Sequence, residues 1–325
     1  MEHADSRALI RLSALAACIM IALTDPAAAQ PVPKSSAGLQ VPAVGTIPAE
    51  GFLLHYRIEG EGRPALVVGS SVYYPRVFSR ALRKGLRLVF LDHRGFVPDR
   101  REMDLDAFSL DKIIDDMERA RQTLGLGRIV VIGHSGHSYM ALEYAKKYPQ
   151  HVSHVVMIGI SPRLGPEAIT ASMRNWEESV DPGRKAAMRA NEERLPDSEL
   201  MKLPPAERLV RDYVRSGPRA WYDYRFDATP LWEGVELNTR MFDHVWGKVF
   251  RDIDVTRGLE MLDRPVLLAL GRHDYLVGPP SMWDPLRPRF RDLTVRVFER
   301  SGHTPPLEEP DLFDAELLGW IDRKR

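Results

Sequence analysis

Four Gly-x-Ser triplets occur in the sequence, and they end at Ser71, Ser135, Ser138 and Ser161. A serine can attack an acyl carbon when a sharp turn exposes its hydroxyl beside backbone N–H groups. Chance alone gives about one or two such triplets in a chain of this length, so the flanking sequence must decide between them. Only Ser135 lies between a β-rich run, RIVVI, and an immediately following helical pattern. The sequence therefore predicts a strand-turn-helix elbow with Ser135 at its tip.

A serine hydroxyl is a weak nucleophile near neutral pH unless an imidazole takes its proton and a carboxylate orients that imidazole. Both groups occur downstream of Ser135. Asp274 follows the strand-like run PVLLALGRH, and His303 lies in the loop SGHTP before the last helical pattern. The order Ser, Asp, His, with each residue at the carboxyl end of a strand, predicts a catalytic triad at one edge of a sheet.

Short β-rich runs alternate with helical patterns from residue 51 onward. This alternation predicts an α/β fold, with a mainly parallel sheet and helices on both of its faces. The predicted strands are Phe52–Ile58, Ala65–Val68, Leu86–Leu91, Ile129–Ile132, Val155–Ile160, Val266–Leu270 and Leu293–Phe298.

The alternation stops between residues 161 and 255, where charged helical segments replace the β-rich runs. An insertion of this length is predicted to be a helical cap over the carboxyl edge of the sheet, where open α/β folds place their sites. The predicted domains are therefore a core at 51–160 and 256–325 and a cap at 161–255. Residues 30–50, with four prolines, are predicted to be an irregular linker.

The amino terminus has the pattern of a secretory signal peptide at residues 1–29. Two arginines precede the apolar run LSALAACIMIAL, and Ala27-Ala28-Ala29 follows it, which predicts cleavage after Ala29 and a periplasmic or secreted protein. The run is shorter than the roughly 20 residues that span a bilayer, so no stable membrane span is expected after processing. Lipidation at Cys18 is the less favoured alternative, because the apolar run continues beyond it.

Composition narrows the classes of partner and cofactor. Lys plus Arg and Asp plus Glu both number 45, so the net charge is zero and nucleic acid is not an expected partner. Cys18 is the single cysteine, which excludes an intrachain disulfide framework and a multi-cysteine metal site. The predicted chemistry needs neither a metal nor an organic cofactor.

Four segments make the sequence resemble the α/β hydrolases of the proline iminopeptidase-like and esterase-like group: LDHRGF, GHSGH, LLALGRHD and SGHTPPLEEP. The resemblance covers residues 51–325. It implies an α/β-hydrolase fold with an inserted helical cap. It implies these roles: Ser135 as nucleophile, Asp274 as acid, His303 as base, and the N–H groups of Ser70 and Gly136 as the oxyanion hole.

Two positions depart from that family pattern. Val68-Gly69 stands where a histidine-glycine pair is common, and His137 stands two places after the nucleophile, where a small residue is usual. The favoured interpretation of His137 is that the neighbouring backbone accommodates its ring. The alternative is that the ring reaches the substrate pocket. The other residues predicted to line that pocket are Tyr73, Tyr74, Trp176 and Trp221.

The predicted function is cleavage of an ester or amide bond in a small molecule through an acyl-enzyme, and an esterase is favoured. A proline iminopeptidase-type aminopeptidase acting on a peptide is the nearest alternative. It needs a cap carboxylate for the substrate's amino group, for which the sequence offers Glu177, Glu178, Glu192 and Glu193. Perhydrolase or acyl-transfer chemistry could use the same triad. Outside enzymes, the fold can serve as a ligand-binding receptor.

Overall fold

The computed structural model describes residues 42–98 and 104–324. They form one eight-stranded sheet with the strand order β1-β2-β4-β3-β5-β6-β7-β8. Strand β2 pairs antiparallel with β1 on one side and with β4 on the other, and every other neighbouring pair is parallel. The strands are β1 Val44–Ala49, β2 Phe52–Glu59, β3 Arg63–Gly69, β4 Leu86–Asp92, β5 Ile129–His134, β6 Val152–Ile158, β7 Val266–Gly271 and β8 Leu293–Phe298. The predicted α/β-hydrolase fold is confirmed.

The α-helices of the described residues fall into two groups. Those of the core are α1 Tyr74–Val77, α2 Leu110–Thr123, α3 His137–Lys147, α11 Pro305–Glu308 and α12 Pro310–Arg323. Those between β6 and β7 are α4 Pro166–Ser179, α5 Pro182–Arg194, α6 Asp197–Leu200, α7 Pro205–Arg215, α8 Gly217–Ala220, α9 Thr229–Trp232 and α10 Thr239–His244. A π-helical turn, Val245–Val249, directly continues α10. We call residues 161–255 the inserted segment.

The central strands are buried on both faces, as expected for a parallel sheet covered by helices. Every residue of β5 is buried, whereas β2, nearer the sheet edge, alternates buried and exposed side chains. Burying one large aliphatic side chain stabilises the folded state by about 1.5–3 kcal/mol. The continuous apolar runs of the central strands therefore anchor the loops that leave their carboxyl ends.

Strand β1 corrects the predicted linker at 30–50, because Val44–Ala49 is regular structure. It pairs antiparallel with β2 and buries Ile47 and Ala49. Pro48 lies within β1, and proline is tolerated there because β1 is an edge strand. The predicted signal peptide, its cleavage site and Cys18 lie outside the described residues. Within those residues, no helix is long and apolar enough to cross a membrane.

The parallel strands bring the predicted site residues to one edge of the sheet. Ser70 directly follows β3, and Ser135 directly follows β5. Asp274 and His303 lie in the loops after β7 and β8. Because parallel strands end on the same side, these four loops meet at the carboxyl edge.

Candidate active site

Ser135 occupies a strained turn between β5 and α3. Its φ is +56°, in the left-handed region that residues with a side chain rarely adopt. The turn also needs glycine at position 133, since a Cβ there would lie 2.2 Å from the carbonyl oxygen of His137. The backbone N–H of Ser135 donates to the carbonyl of Ile158 at 2.8 Å, which ties the turn to β6. This is the geometry expected of a nucleophile elbow.

Asp274 and His303 form a buried pair. The Nδ1–H of His303 donates to Oδ2 of Asp274 at 2.7 Å, and each side chain is 4% exposed. The second carboxylate oxygen, Oδ1, accepts the N–H of Leu276 at 3.0 Å. A proton held on Nδ1 leaves Nε2 of His303 as the ring nitrogen able to accept another proton.

The loop of His303 lies against the Ser135 elbow. His134 precedes Ser135, and its Nε2–H donates to the carbonyl of His303 at 2.9 Å, with the two ring centroids 4.8 Å apart. Gly159, at φ +57°, packs on the same loop, where a Cβ would lie 2.4 Å from the carbonyl oxygen of His303. The structure therefore brings the three residues predicted as a triad to one place.

The other Gly-x-Ser serines are engaged differently. The hydroxyl of Ser138 donates to the carbonyl of Gly133 at 2.9 Å, and that of Ser161 donates to the carbonyl of Arg163 at 2.7 Å. The N–H of Ser71 donates to the carboxylate of Asp92 at 2.6 Å. The side chain of Ser71 also hydrogen-bonds Asp92. The hydroxyls of Ser71, Ser138 and Ser161 are thus engaged elsewhere, which leaves Ser135 as the serine of this set placed for attack.

The loop after β3 is held by its own side chain and by Asp92. The hydroxyl oxygen of Ser70 accepts the N–H groups of Val72 and Tyr73 at 3.2 and 3.1 Å. Burial raises the pKa of Asp92, while hydrogen bonds from His55 and Ser71 act in the opposite direction. Because the Ser71 amide is taken by Asp92, the amide of Ser70 is the one that this loop can offer to a substrate.

His137 does not crowd the elbow but joins a hydrogen-bonded row of buried rings. The N–H of Gly95 donates to Nδ1 of His93 at 2.9 Å, so the proton of His93 is on Nε2. That Nε2–H donates to Nε2 of His137 at 2.9 Å, which places the proton of His137 on Nδ1.

The row continues from His137 to the loop of His303. The Nδ1 of His137 lies 3.0 Å from the carbonyl oxygen of His134 and 2.9 Å from the hydroxyl of Tyr74. The Tyr74 hydroxyl can in turn donate to Nδ1 of His134 at 3.3 Å, and Nε2–H of His134 reaches the His303 carbonyl. Each ring then carries one proton and each proton has an acceptor, so the row is complete when all three histidines are neutral.

Burial keeps these imidazoles neutral. It lowers the pKa of His93 and of His134, and it lowers the pKa of His137 to about 4. A histidine with a lowered native-state pKa takes up fewer protons when folded than when unfolded. Its contribution to stability is therefore complete above the unfolded pKa of 6.5 and is lost as the pH falls from there towards 4.

We expect His137→Gly to keep most of the activity at saturating substrate and to lower stability by roughly 2–4 kcal/mol near neutral pH. The loss arises because the Nε2–H of His93 loses its acceptor and a cavity remains. In wild type, the shift of His137 alone should remove about 3 kcal/mol between pH 6.5 and 4. Denaturant unfolding at several pH values checks the stability: the free energy of unfolding should fall less steeply with decreasing pH in the variant than in wild type. Steady-state kinetics check the activity, and a kcat loss above about 100-fold would place His137 in the chemistry.

The predicted pocket aromatics occupy different places. Tyr73 is buried and packs against Trp232 with the ring planes tilted by 45° and the centroids 4.4 Å apart, whereas Tyr74 belongs to the histidine row. Trp221 is fully buried in the inserted segment. Trp176 packs edge-on against Tyr275, beside Asp274, at 5.5 Å.

The sequence did not identify Trp246, which packs directly on the elbow. A Cβ at Gly136 would lie 2.5 Å from Nε1 of Trp246, so the indole occupies the space of the missing side chain. Trp246 lies in the π-helical turn Val245–Val249, a local structure found frequently at functional sites. Its buried N–H has no hydrogen-bond partner among the described residues. The glycine after Ser135 was the available signal, but a π-turn has no sequence pattern that would have located its neighbour.

Three of the four cap carboxylates that an aminopeptidase could use are exposed to solvent. Glu177 is 69% exposed and pairs with Lys185, Glu178 and Glu193 are exposed, and Glu192 is half-buried. Glu308 and Glu309 both contact the loop of His303. The oxygens of Glu308 accept the N–H groups of Gly302 and Thr304, and Oε2 of Glu309 accepts the hydroxyl of Ser301. In the described part of the chain, no group of three or more His, Cys, Asp or Glu side chains is arranged to hold a metal ion.

The chain belongs to the alpha/beta hydrolase fold family, whose model matches residues 61–310. It is 39% identical over 279 residues to the AB hydrolase superfamily protein YclE of Bacillus subtilis, covering 86% of this chain and 99% of that protein. It is 26% identical over 280 residues to a proline iminopeptidase of Heyndrickxia coagulans, covering 81% of this chain and 92% of that protein. The solved structure of an esterase from Exiguobacterium antarcticum shares the fold, with a TM-score of 0.60 and 18% sequence identity, over 86% of this chain and 99% of that one.

Proposed function

We propose that this protein is a serine hydrolase that cleaves a carboxylic ester of a small substrate through an acyl-enzyme. The observation that carries the proposal is the strained turn of Ser135, at a left-handed φ, beside the loop of the buried Asp274–His303 pair: the neighbouring His134 binds the carbonyl of His303 at 2.9 Å. A strained serine is maintained only where the surrounding structure enforces it, and such strain is typical of active sites.

In the proposed mechanism Oγ of Ser135 attacks the ester carbonyl carbon while its proton passes to Nε2 of His303. Asp274 holds the imidazole through Nδ1 and stabilises the imidazolium that forms. The N–H groups of Ser70 and Gly136 donate to the oxyanion of the tetrahedral intermediate. The leaving alcohol takes the proton from His303, and water then attacks the acyl-enzyme with His303 as base. Ser135 is regenerated and the acid is released.

The proposed role of the inserted segment is that of a cap enclosing the site. Trp246 packs on Gly136, and the carbonyl of Ala220 accepts the N–H of His303 at 2.6 Å. Ser135 is 9% exposed and His303 is 3% exposed. These contacts favour a substrate small enough to be enclosed beneath residues 161–255.

Ester hydrolysis is favoured over aminopeptidase activity because of where the carboxylates lie. An aminopeptidase must bind a substrate ammonium, a hydrogen-bond donor. Glu177, Glu178 and Glu193 face solvent, which leaves the half-buried Glu192 as the remaining cap candidate for that role. The similarity to a proline iminopeptidase keeps the aminopeptidase as the second candidate. A panel of p-nitrophenyl esters and aminoacyl-naphthylamides separates the two. We expect the esters to be hydrolysed with the larger kcat/KM, and a preference for the prolyl amide would favour the second candidate.

We also propose export with cleavage after Ala29. The support is the apolar run and the alanine triplet of the sequence. Expression of the full chain in a bacterial host should give a periplasmic protein whose amino-terminal sequencing begins at Gln30. A cytoplasmic product that retains Met1 would contradict export, and a lipid on Cys18 would favour the alternative processing.

A further inference from the structure

A short stretch of the inserted segment, residues 218–222, contacts both loops of the Asp274–His303 pair. We call residues 218–222 the strap. The carbonyl of Ala220 accepts the N–H of His303 at 2.6 Å, and the carbonyl of Arg219 accepts the N–H of Tyr275, next to Asp274, at 2.9 Å. Two adjacent strap carbonyls therefore bind the backbone of His303, the proposed base, and that of Tyr275, which directly follows the proposed acid Asp274.

The other three strap carbonyls bind one buried guanidinium. Nη1 of Arg184 donates to the carbonyls of Pro218 at 2.8 Å and Trp221 at 2.5 Å, and Nη2 donates to that of Tyr222 at 2.7 Å. All five consecutive carbonyls of the strap thus accept hydrogen bonds from outside it. The planar fork of arginine can bind several acceptors in a fixed geometry, which the single ammonium of lysine cannot reproduce.

Arg184 is directed at the backbone rather than at a carboxylate. Its side chain is 5% exposed, and its ion pair with Asp181 is long, at 3.9 Å, with that carboxylate 60% exposed. The guanidinium also lies over the rings of Tyr224 and Tyr275, 5.1 and 5.6 Å from their centroids. Burying a charge is costly unless polar groups satisfy it, and here the strap carbonyls do so.

The strap and the His303 loop are also joined by Glu308 and by close packing. Oε2 of Glu308 accepts the N–H groups of Tyr222 and Gly302 at 2.7 and 2.9 Å, and Oε1 accepts that of Thr304 at 2.9 Å. A Cβ at Gly302 would lie 2.2 Å from the carbonyl oxygen of Ala220. Movement of the strap would therefore be transmitted to the residues on both sides of His303.

We propose that Arg184 is a positioning residue of the active site, which sets the relative placement of the Asp274 and His303 loops by fixing the strap. The inference rests on the proposed function, because it assigns Arg184 to the geometry of that same triad. It makes the inserted segment part of the catalytic framework as well as a cover. A displacement of about 1 Å in such a framework can lower the rate about 100-fold.

The test compares Arg184→Lys with Arg215→Lys. Arg215 is a matched control, because it is also a buried arginine of the inserted segment, 6% exposed, but it bonds Leu195, Asp197 and Asp212. We expect R184K to lower kcat for a p-nitrophenyl ester by about 10- to 100-fold with KM changed less than about threefold. R215K should lower the thermal midpoint but leave kcat within about threefold of wild type.

Chemical rescue separates positioning from general stability. In Arg184→Ala, added methylguanidinium should restore part of the lost kcat by occupying the space between the strap carbonyls. The same concentration should not raise kcat in R215K or in wild type. An R184K enzyme with wild-type kcat, or an R215K enzyme with an equal loss, would overturn the proposal.

Hydrogen exchange provides a readout that does not depend on activity. In wild type the amides of His303 and Tyr275 should exchange slowly, and in R184K both should exchange faster. If neither Arg184 variant folds, the wild-type exchange decides: slow exchange supports the proposal, and rates typical of an open loop contradict it. If wild type neither hydrolyses esters nor reacts with a fluorophosphonate, the proposed function fails, while exchange in R184K still tests the link between Arg184 and the two loops.

Discussion

Replacing Ser135 by alanine is expected to lower ester turnover by at least about 10³-fold, since loss of a serine nucleophile has effects of this order or larger. The oxyanion donors and the pocket remain, so a small residual rate above that in water is expected. Alanine keeps the Cβ that the left-handed turn already accommodates, so the fold should be retained. Steady-state kinetics together with thermal unfolding measure the two effects separately.

Ser71→Ala is the matched control for that substitution. Ser71 also ends a Gly-x-Ser triplet after a strand, but its amide donates to Asp92, the last residue of the neighbouring strand β4. We expect the S71A enzyme to keep turnover within about tenfold of wild type, because the amide is retained. The nucleophile assignment would be reversed by an inactive S71A enzyme alongside an active S135A enzyme.

His303→Ala is expected to be as damaging as S135A, because without an imidazole the serine proton has no acceptor. Asp274→Asn should cost less than His303→Ala but still about 10²-fold or more, since an amide can orient the ring in the wrong tautomer. The 2.7 Å contact of Nδ1–H with the carboxylate is the interaction that this substitution alters. Single-turnover rates with an activated ester check both expectations.

His151→Ala serves as the control for loss of an imidazole. His151 is half-buried, stacks on Tyr148 and directly precedes β6. It therefore lies at the opposite end of β6 from Ile158, whose carbonyl binds Ser135. Its removal should leave turnover unchanged. If H303A retained turnover close to that of H151A, a histidine base at position 303 would be refuted.

The sequence was most informative where function depends on local pattern. The elbow at Ser135 could be predicted because a buried strand, a Gly-His-Ser-Gly turn and a helix follow one another without interruption. The seven predicted strands were also confirmed, with small differences at their ends, because each is a short β-rich run that the sequence shows locally. Strand β1 was missed because it gains its structure by pairing with β2, whereas its own sequence contains Pro48 and little alternation.

The parts that could not be predicted depend on contacts between distant residues. The ring of His137 is satisfied by His93 and Tyr74, which are 44 and 63 positions away in the chain. The bonds from Arg184 to the strap span 34 to 38 positions, and nothing in the local sequence distinguishes Arg184 from its exposed neighbours. The first contacts form within the core and the second within the inserted segment, and both exist only once the chain has folded.

The departure at Val68-Gly69 now has a structural account. Asp92, at the end of β4, binds the amide of Ser71, and the hydroxyl of Ser70 binds the amides that follow it. The loop is thereby held without the histidine that is common in the family pattern. Asp92 had no assigned role in the proposed chemistry, and its contact could be found only once β3 and β4 were seen to be neighbours.

The most direct test of the central claim is to react the wild-type protein with a fluorophosphonate and locate the adduct by peptide-resolved mass spectrometry. We predict one adduct per chain, on the peptide that contains Ser135, with fragment ions placing the added mass on that residue. The reaction should be prevented in S135A and unaffected in S71A. An adduct on Ser71, or an enzyme that hydrolyses esters without forming any serine adduct, would contradict the account.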